Sequence, residues 1–175
     1  MSPSEADSAL PAGGGAFLLT QLGTHAAQAF AERIAELDLT PPQAGLLRAV
    51  AFGPGRSQQA LAQQLGTAPT RLVALVDGLE QRGLLERRRN PGDRRLHAVH
   101  LSVAGEAVMA DIGRVSRDHD DAVLSALDPA EREQLRALLA RVATDRGLTP
   151  GVHPGYRTLS AADPGSPSRE DRATY

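Results

Sequence analysis

The segment that most limits what this chain can fold into is residues 83–102. Leu84-Leu85-Glu86-Arg87-Arg88 reads as a strand, Asn90-Pro91-Gly92-Asp93 as a turn, and Leu96 to Leu101 as the returning strand. It is a lone hairpin among segments whose apolar residues recur every three or four positions. Two strands alone are marginal in water, so the hairpin has to lean on neighbouring helices. The residues just before it supply them. Ser57 caps a short helix from Gln58 to Leu65, with Leu61 and Leu65 inward and Gly66 just past its end. Thr67 is expected to cap the next helix, which has Pro69 in its first turn, Leu72, Val76 and Leu79 as its buried stripe, and Gly83 at its end. Its opposite face shows Thr70, Arg71, Ala74 and Gln81.

Two short helices on a tight glycine turn, followed at once by a hairpin, describe a winged helix-turn-helix. The expected fold is therefore mainly α with a small β-hairpin wing. Longer helices flank it. Leu18, Leu22, Ala26, Phe30, Ile34 and Leu37 form one stripe over Phe17 to Leu37. Thr40-Pro41-Pro42-Gln43 then opens a second helix with a capping box, and Leu46, Leu47 and Val50 are its buried face. Ser102 caps a long helix from Val103 to Leu127, striped by Val108, Ile112, Val115, Ala122 and Ala126. Asp128-Pro129-Ala130-Glu131 starts a last helix to Arg146, with Leu135, Leu138, Leu139 and Val142 on one side. The folded unit is expected at 16–146, with a winged lobe at 40–101 between helices at 16–38 and 103–146. Residues 1–15 read as a flexible arm. Residues 147–175, interrupted by four prolines, read as a disordered tail.

Charge is distributed in the same pattern. Residues 56–100 carry eight arginines against four acids, a net +4, while 1–55 and 101–146 are each at −3. A basic middle between acidic flanks suits one surface that meets a polyanion and others that avoid it. Every basic residue is arginine, and there is no cysteine, which excludes disulfides and thiol redox sensing. No apolar run is long enough to span a bilayer and the first residues lack the pattern of a secretion signal, so a cytoplasmic location is expected. There is no nucleophile elbow, phosphate loop or HExxH pattern, so an enzyme is not expected, and no cofactor is implied. Asp118-His119-Asp120-Asp121 offers only Asp118 and Asp121 on a common helix face, too few for a metal site.

Several segments resemble the MarR family of regulators: Leu39-Thr40-Pro41-Pro42-Gln43 at the start of the second helix, Leu61 to Gly66 at the helix-turn, and Leu75 to Leu85 at the end of the recognition helix. Most specific is Arg87-Arg88-Arg89-Asn90-Pro91-Gly92-Asp93-Arg94-Arg95, which matches the family's wing with its Asp-x-Arg signature. The resemblance covers about 17–146. It implies a homodimer held by the first and the last two helices, with the recognition helix in the major groove of double-stranded DNA and the wing in the adjacent minor groove. It also implies a near-palindromic operator and release by a small apolar or phenolic effector entering between lobes; a repressor is expected over an activator because blocking a promoter needs fewer assumptions. His25, on the first helix, is the candidate effector contact.

On that reading the residues expected to meet DNA are Ser57 and Gln58, the start of the recognition helix at Ala68, Pro69, Thr70 and Arg71, then Val73 and Ala74, and in the wing Arg87, Arg89, Asp93, Arg94 and Arg95. Arg95 would enter the minor groove, with Asp93 fixing its guanidinium. Arg87 and Arg89 would reach phosphates, while alternation turns Arg88 the other way. Family members commonly carry a Ser/Thr-Arg pair where this chain has Val73 and Ala74, neither of which can hydrogen-bond a base edge, so Arg71 is the candidate to take over.

Overall fold

The computed structural model describes residues 13–89, 97–153 and 155–158. Its elements run α1 (Gly15–Ala35), α2 (Pro41–Phe52), β1 (Arg56–Ser57), α3 (Gln58–Leu65), α4 (Pro69–Gln81), β2 (Leu85–Arg89), β3 (His97–Leu101), α5 (Val103–Val123), α6 (Pro129–Asp145) and α7 (Gly155–Thr158). The helix starts follow local chemistry. At α2, Gln43 N donates to Thr40 Oγ1 at 3.5 Å and Thr40 N donates to Gln43 Oε1 at 2.9 Å, a complete capping box. Asp128 caps α6 by accepting from Ala130 N and Glu131 N at 2.8 and 2.9 Å. Ser102 caps α5, accepting from Gly105 N at 3.0 Å.

The core is the meeting point of α2, α3, α4 and the sheet. Leu46, Leu47, Val50, Leu61, Leu72, Val76, Leu79 and Val99 are fully buried, joined by Ile34 from the end of α1 and Ile112 from α5. Each such side chain stabilises the fold by roughly 1.5–3 kcal/mol through the apolar surface it removes from water. The sheet is three-stranded and antiparallel in the order β1-β3-β2. β2 and β3 pair from Leu85↔Leu101 to Arg89↔His97, and β1 adds Arg56↔Val99 and Ser57↔Ala98 on the other edge of β3. The two paired strands of the wing expected from sequence are present, while the expected turn at Asn90–Asp93 lies outside the described residues. The two-residue β1 was not expected, because so short a strand carries no period.

The long helices bury less than their stripes suggest. On α1 only Ile34 is buried, while Ala26, Phe30 and Leu37 are half-buried and Leu22 is 56 % exposed. On α5, Ile112 is buried but Ala122 and Ala126 lie exposed. α6 buries no side chain, and Leu138 stands 48 % exposed. These stripes run past the end of the winged lobe, and among the described residues their outer halves stay largely uncovered.

Two expectations are corrected. Thr67 does not cap α4. The cap position belongs to Ala68 (φ −63°, ψ 139°), whose side chain accepts no hydrogen bond. Pro69 takes the first helical position and disfavours helical geometry in the residue before it, which forces the boundary to Ala68. Thr67 instead closes α3, donating its N–H to Ala62 O at 3.1 Å, and is buried with its Oγ1 lacking a partner among the described residues. The second concerns only the first part of the tail expected to be disordered, 147–153 and 155–158; residues 159–175 lie outside the described residues. The chain leaves α6 at Gly147, turns, and lays Val152 and Tyr156 against the core, with Tyr156 only 4 % exposed. A lone tyrosine among prolines and glycines has no periodicity to announce that burial.

Candidate nucleic-acid interface

The turn between α3 and α4 sets the geometry. Gly66 adopts φ 65°, a left-handed conformation that a side chain resists, and its N–H donates to Gln63 O at 3.2 Å. Ser57 Oγ accepts from Ala60 N at 3.2 Å, so this serine serves as the cap of α3. With Leu72, Val76 and Leu79 turned into the core, α4 presents Pro69, Thr70, Val73 and Ala74 to solvent, Val73 being 39 % exposed. Arg71 is half-buried on the flank of this face. The outward face of α4 is thus small and uncharged at its centre.

The acids of α4 are turned the other way. Asp77 and Glu80 both pair with the guanidinium of Arg87, reaching across from β2. Glu80 Oε1 also accepts the Arg87 backbone N–H at 3.2 Å. With the Gln58 amide oriented so that its oxygen faces the arginine, Gln58 accepts from Arg87 Nε at 2.7 Å and from Nη2 at 2.8 Å. One side chain therefore ties β2 to the start of α3 and the second half of α4. Arg87 and Gln58, both expected at phosphate, are thus half-buried and engaged with each other and with the two carboxylates of α4. Strand alternation separates Arg87 from Arg88, but it does not say that two carboxylates wait beside Arg87.

Arg88 and Arg89 differ from it. Arg88 is exposed and its Nε donates to Glu86 Oε1 at 2.8 Å, a surface pair of small energetic weight. Arg89, at the last position of β2, is exposed, and no carboxylate pairs with it among the described residues. Asp93, Arg94 and Arg95, expected at the wing tip, lie outside the described residues. Arg56 is exposed on β1 and donates to Gln64 Oε1, adding a cation beside α3 that the sequence reading did not single out.

His25 is exposed on α1, away from this surface. Its neighbour across the helices is His119 of α5, which meets the ring of Phe30 edge-on at 5.5 Å. Burial holds the His119 imidazole below its ordinary value of 6.5, assisted by the charge of Arg33, opposed by Asp120, and assisted again by His25. A cleft of about 480 Å³ opens beside it between α1, α5 and α6, lined by Ala26, His119, Val123, Arg132, Leu135 and Leu139 among others. No helix among the described residues is long and apolar enough to cross a membrane.

Comparison with known proteins agrees with this arrangement. Residues 37–96, from the end of α1 through the wing, match the model of the MarR family. A Thauera aromatica protein named as a regulator of the hcr operon is 34 % identical over 112 residues, covering 64 % of this chain and 68 % of its own length. The transcriptional regulator HosA of Escherichia coli O111:H- is 31 % identical over 105 residues, covering 60 % of this chain and 78 % of its own. Among solved structures, the transcriptional repressor CouR bound to a 23-mer DNA duplex superposes with a TM-score of 0.65 at 32 % identity, covering 73 % of this chain and 91 % of that one. These relatives are regulators rather than enzymes. With the helix-turn-helix, the wing strands and the flanking helices all in place, the chain belongs to the MarR family of transcriptional regulators.

Proposed function

We propose that this regulator binds a near-palindromic operator in double-stranded DNA as a homodimer and acts as a cytoplasmic repressor by blocking a promoter. The observation that carries the reading is the sorting of charge around α4. Its two acids, part-exposed on the side toward β2, are both paired with Arg87, and the exposed face of Thr70, Val73 and Ala74 is bare of negative charge. A helix meant for the major groove needs that arrangement, since a carboxylate there would repel phosphate. CouR, with the same fold, carries a DNA duplex in its solved structure.

The residues assigned to DNA are Pro69, Thr70, Arg71, Val73 and Ala74 of α4, Arg89 at the end of β2, and Asp93, Arg94 and Arg95 of the wing. Val73 offers contact to a thymine methyl, and Arg71 supplies the hydrogen bonds that Val73 and Ala74 cannot. Ser57 and Ala68 contribute through backbone at the helix starts, where N–H groups favour phosphate. The dimer is supported by the stripes of α1 and α6 that no described residue covers, including Leu22, Leu138 and Val142. Two-fold symmetry would then set two recognition helices about 34 Å apart, one turn of B-DNA. A small apolar or phenolic effector would act by fitting one half-site spacing better than another, and a tenfold loss of operator affinity needs a preference of about 1.4 kcal/mol.

The test is fluorescence anisotropy with the chain's own upstream DNA and a scrambled duplex, over a salt series, for wild type and Arg95→Ala. Selective, salt-steep binding by wild type that the variant loses supports the reading. Equal weak binding to both duplexes by wild type would sink it.

A further inference from the structure

The segment after α6 is built into the fold in a way that regulation of an operator does not explain. Past Gly147 the chain turns through Val152, whose N–H donates to Thr149 O at 3.2 Å, and runs back along α2. Gly151 approaches Arg48, in the middle of α2, and Tyr156 reaches Pro42, in its first turn, where the phenol donates to the Pro42 carbonyl. The Tyr156 ring occupies a notch that exists because residue 45 is glycine. A Cβ there would overlap the phenol oxygen and press on two ring carbons at 3.0 Å. Glycine inside a helix costs about 1 kcal/mol relative to alanine, so this notch is made at the expense of α2's own stability. The side chain is 4 % exposed, and burial raises its phenol above the ordinary value of 10.0.

We infer that the described residues 148–153 and 155–158 act as an intramolecular strap, with Tyr156 seated in the Gly45 notch, that couples the end of α6 to α2 and so holds the winged lobe in one placement against the outer helices. α2 is where such a tether acts most directly. It packs on α3 and α4 on one side and on α1 and α5 on the other, so its position is shared by both parts of the molecule. The pull is transmitted to α6, which has no buried side chain of its own and therefore little else to hold it within one chain. A seated strap narrows the range of lobe placements before any partner binds. Releasing it returns that freedom, which must be lost again on binding DNA, so operator affinity falls. This last consequence rests on the DNA-binding reading above; the coupling itself does not.

The full chain contains two tyrosines and no tryptophan, so in a Tyr175→Phe background Tyr156 is the sole tyrosine reporter. In that protein the Tyr156 emission resists acrylamide and the phenol ionises at higher pH than a free tyrosine. Gly45→Ala expels the ring, leaving helical content by circular dichroism unchanged or raised while quenching increases about threefold or more. Amide exchange in the last two turns of α6, remote from residue 45 in sequence, then accelerates by about tenfold, and operator Kd rises by about three- to tenfold. Tyr156→Phe, which keeps the ring and loses only the hydrogen bond, stays within about twofold of wild type in Kd. Tyr156→Ala, which removes the fluorescent reporter, repeats the α6 exchange and Kd effects of Gly45→Ala without touching α2. Free quenching of Tyr156 in the parent protein overturns the inference. So does unchanged α6 exchange once the ring is expelled. If the wild type shows no preference for its operator, the repressor reading fails, and the exchange and quenching results still decide the strap.

Discussion

Arg87 shows how much depends on the partners of one side chain. Strand alternation sets it apart from Arg88, but only the fold brings Asp77, Glu80 and Gln58 within reach of its guanidinium. Its replacement would leave two carboxylates facing each other without a cation. Arg87→Ala is therefore expected to lower the unfolding free energy by about 1–2 kcal/mol, read by urea denaturation. Arg89→Ala, on the exposed end of the same strand, should leave stability within about 0.5 kcal/mol. It should instead reduce the slope of log Kd against log salt by about one phosphate's worth. If the two variants behave alike in both measurements, the division of labour between them is wrong. A cycle pairing Arg87→Ala with Asp77→Ala, whose single variants share the lost contact, should show clear non-additivity.

At the level of elements, the helix ends were largely legible because caps act locally. Thr40, Ser57, Ser102 and Asp128 all cap the helices that their sequence neighbours suggest. Thr67 departs from this because Pro69 shifts the boundary by one residue and leaves the threonine hydroxyl buried with no partner among the described residues. The contrast is measurable. Ser57→Ala should cost about 1 kcal/mol, the usual value of a cap. Thr67→Val replaces an unsatisfied hydroxyl with a methyl of similar shape and should be neutral or stabilising by up to about 1 kcal/mol. A loss for Thr67→Val equal to that for Ser57→Ala would restore Thr67 as a cap. The packing of α1 on α5 carries a pH signature of its own. His119 has a folded-state value below 6.5, chiefly from burial, so the unfolded chain takes up a proton first as pH falls. Its contribution is fully present above 6.5 and is lost as pH drops through 6.5 toward the folded value. Chemical denaturation should accordingly show stability declining on the acid side, with a shallower decline in His119→Gln.

For the whole molecule, the question is what covers the outer helices. Leu138 is 48 % exposed, so within one chain its replacement by glutamate should cost little. If a second copy buries it, Leu138→Glu places a charge in an apolar interface and should yield a monomer of near-normal secondary structure with at least about a tenfold loss in operator affinity. Sedimentation would report the first effect and anisotropy the second. A stable dimer that still binds DNA would remove α6 from the interface.

By itself the sequence determined the order and type of nearly every element, the helix-turn-helix with its glycine turn, and the basic character of the wing. Those features rest on short-range physics: a period of three to four residues, a period of two, a cap beside the turn that it closes. Only the tertiary structure decided that Arg87 is held by Asp77 and Glu80, that β1 adds a third strand, and that Tyr156 folds back 111 residues in sequence to a notch at Gly45. Each of those depends on a surface made by residues distant in the chain. A single side chain, a two-residue strand and a missing Cβ leave no periodic trace from which such a surface can be read.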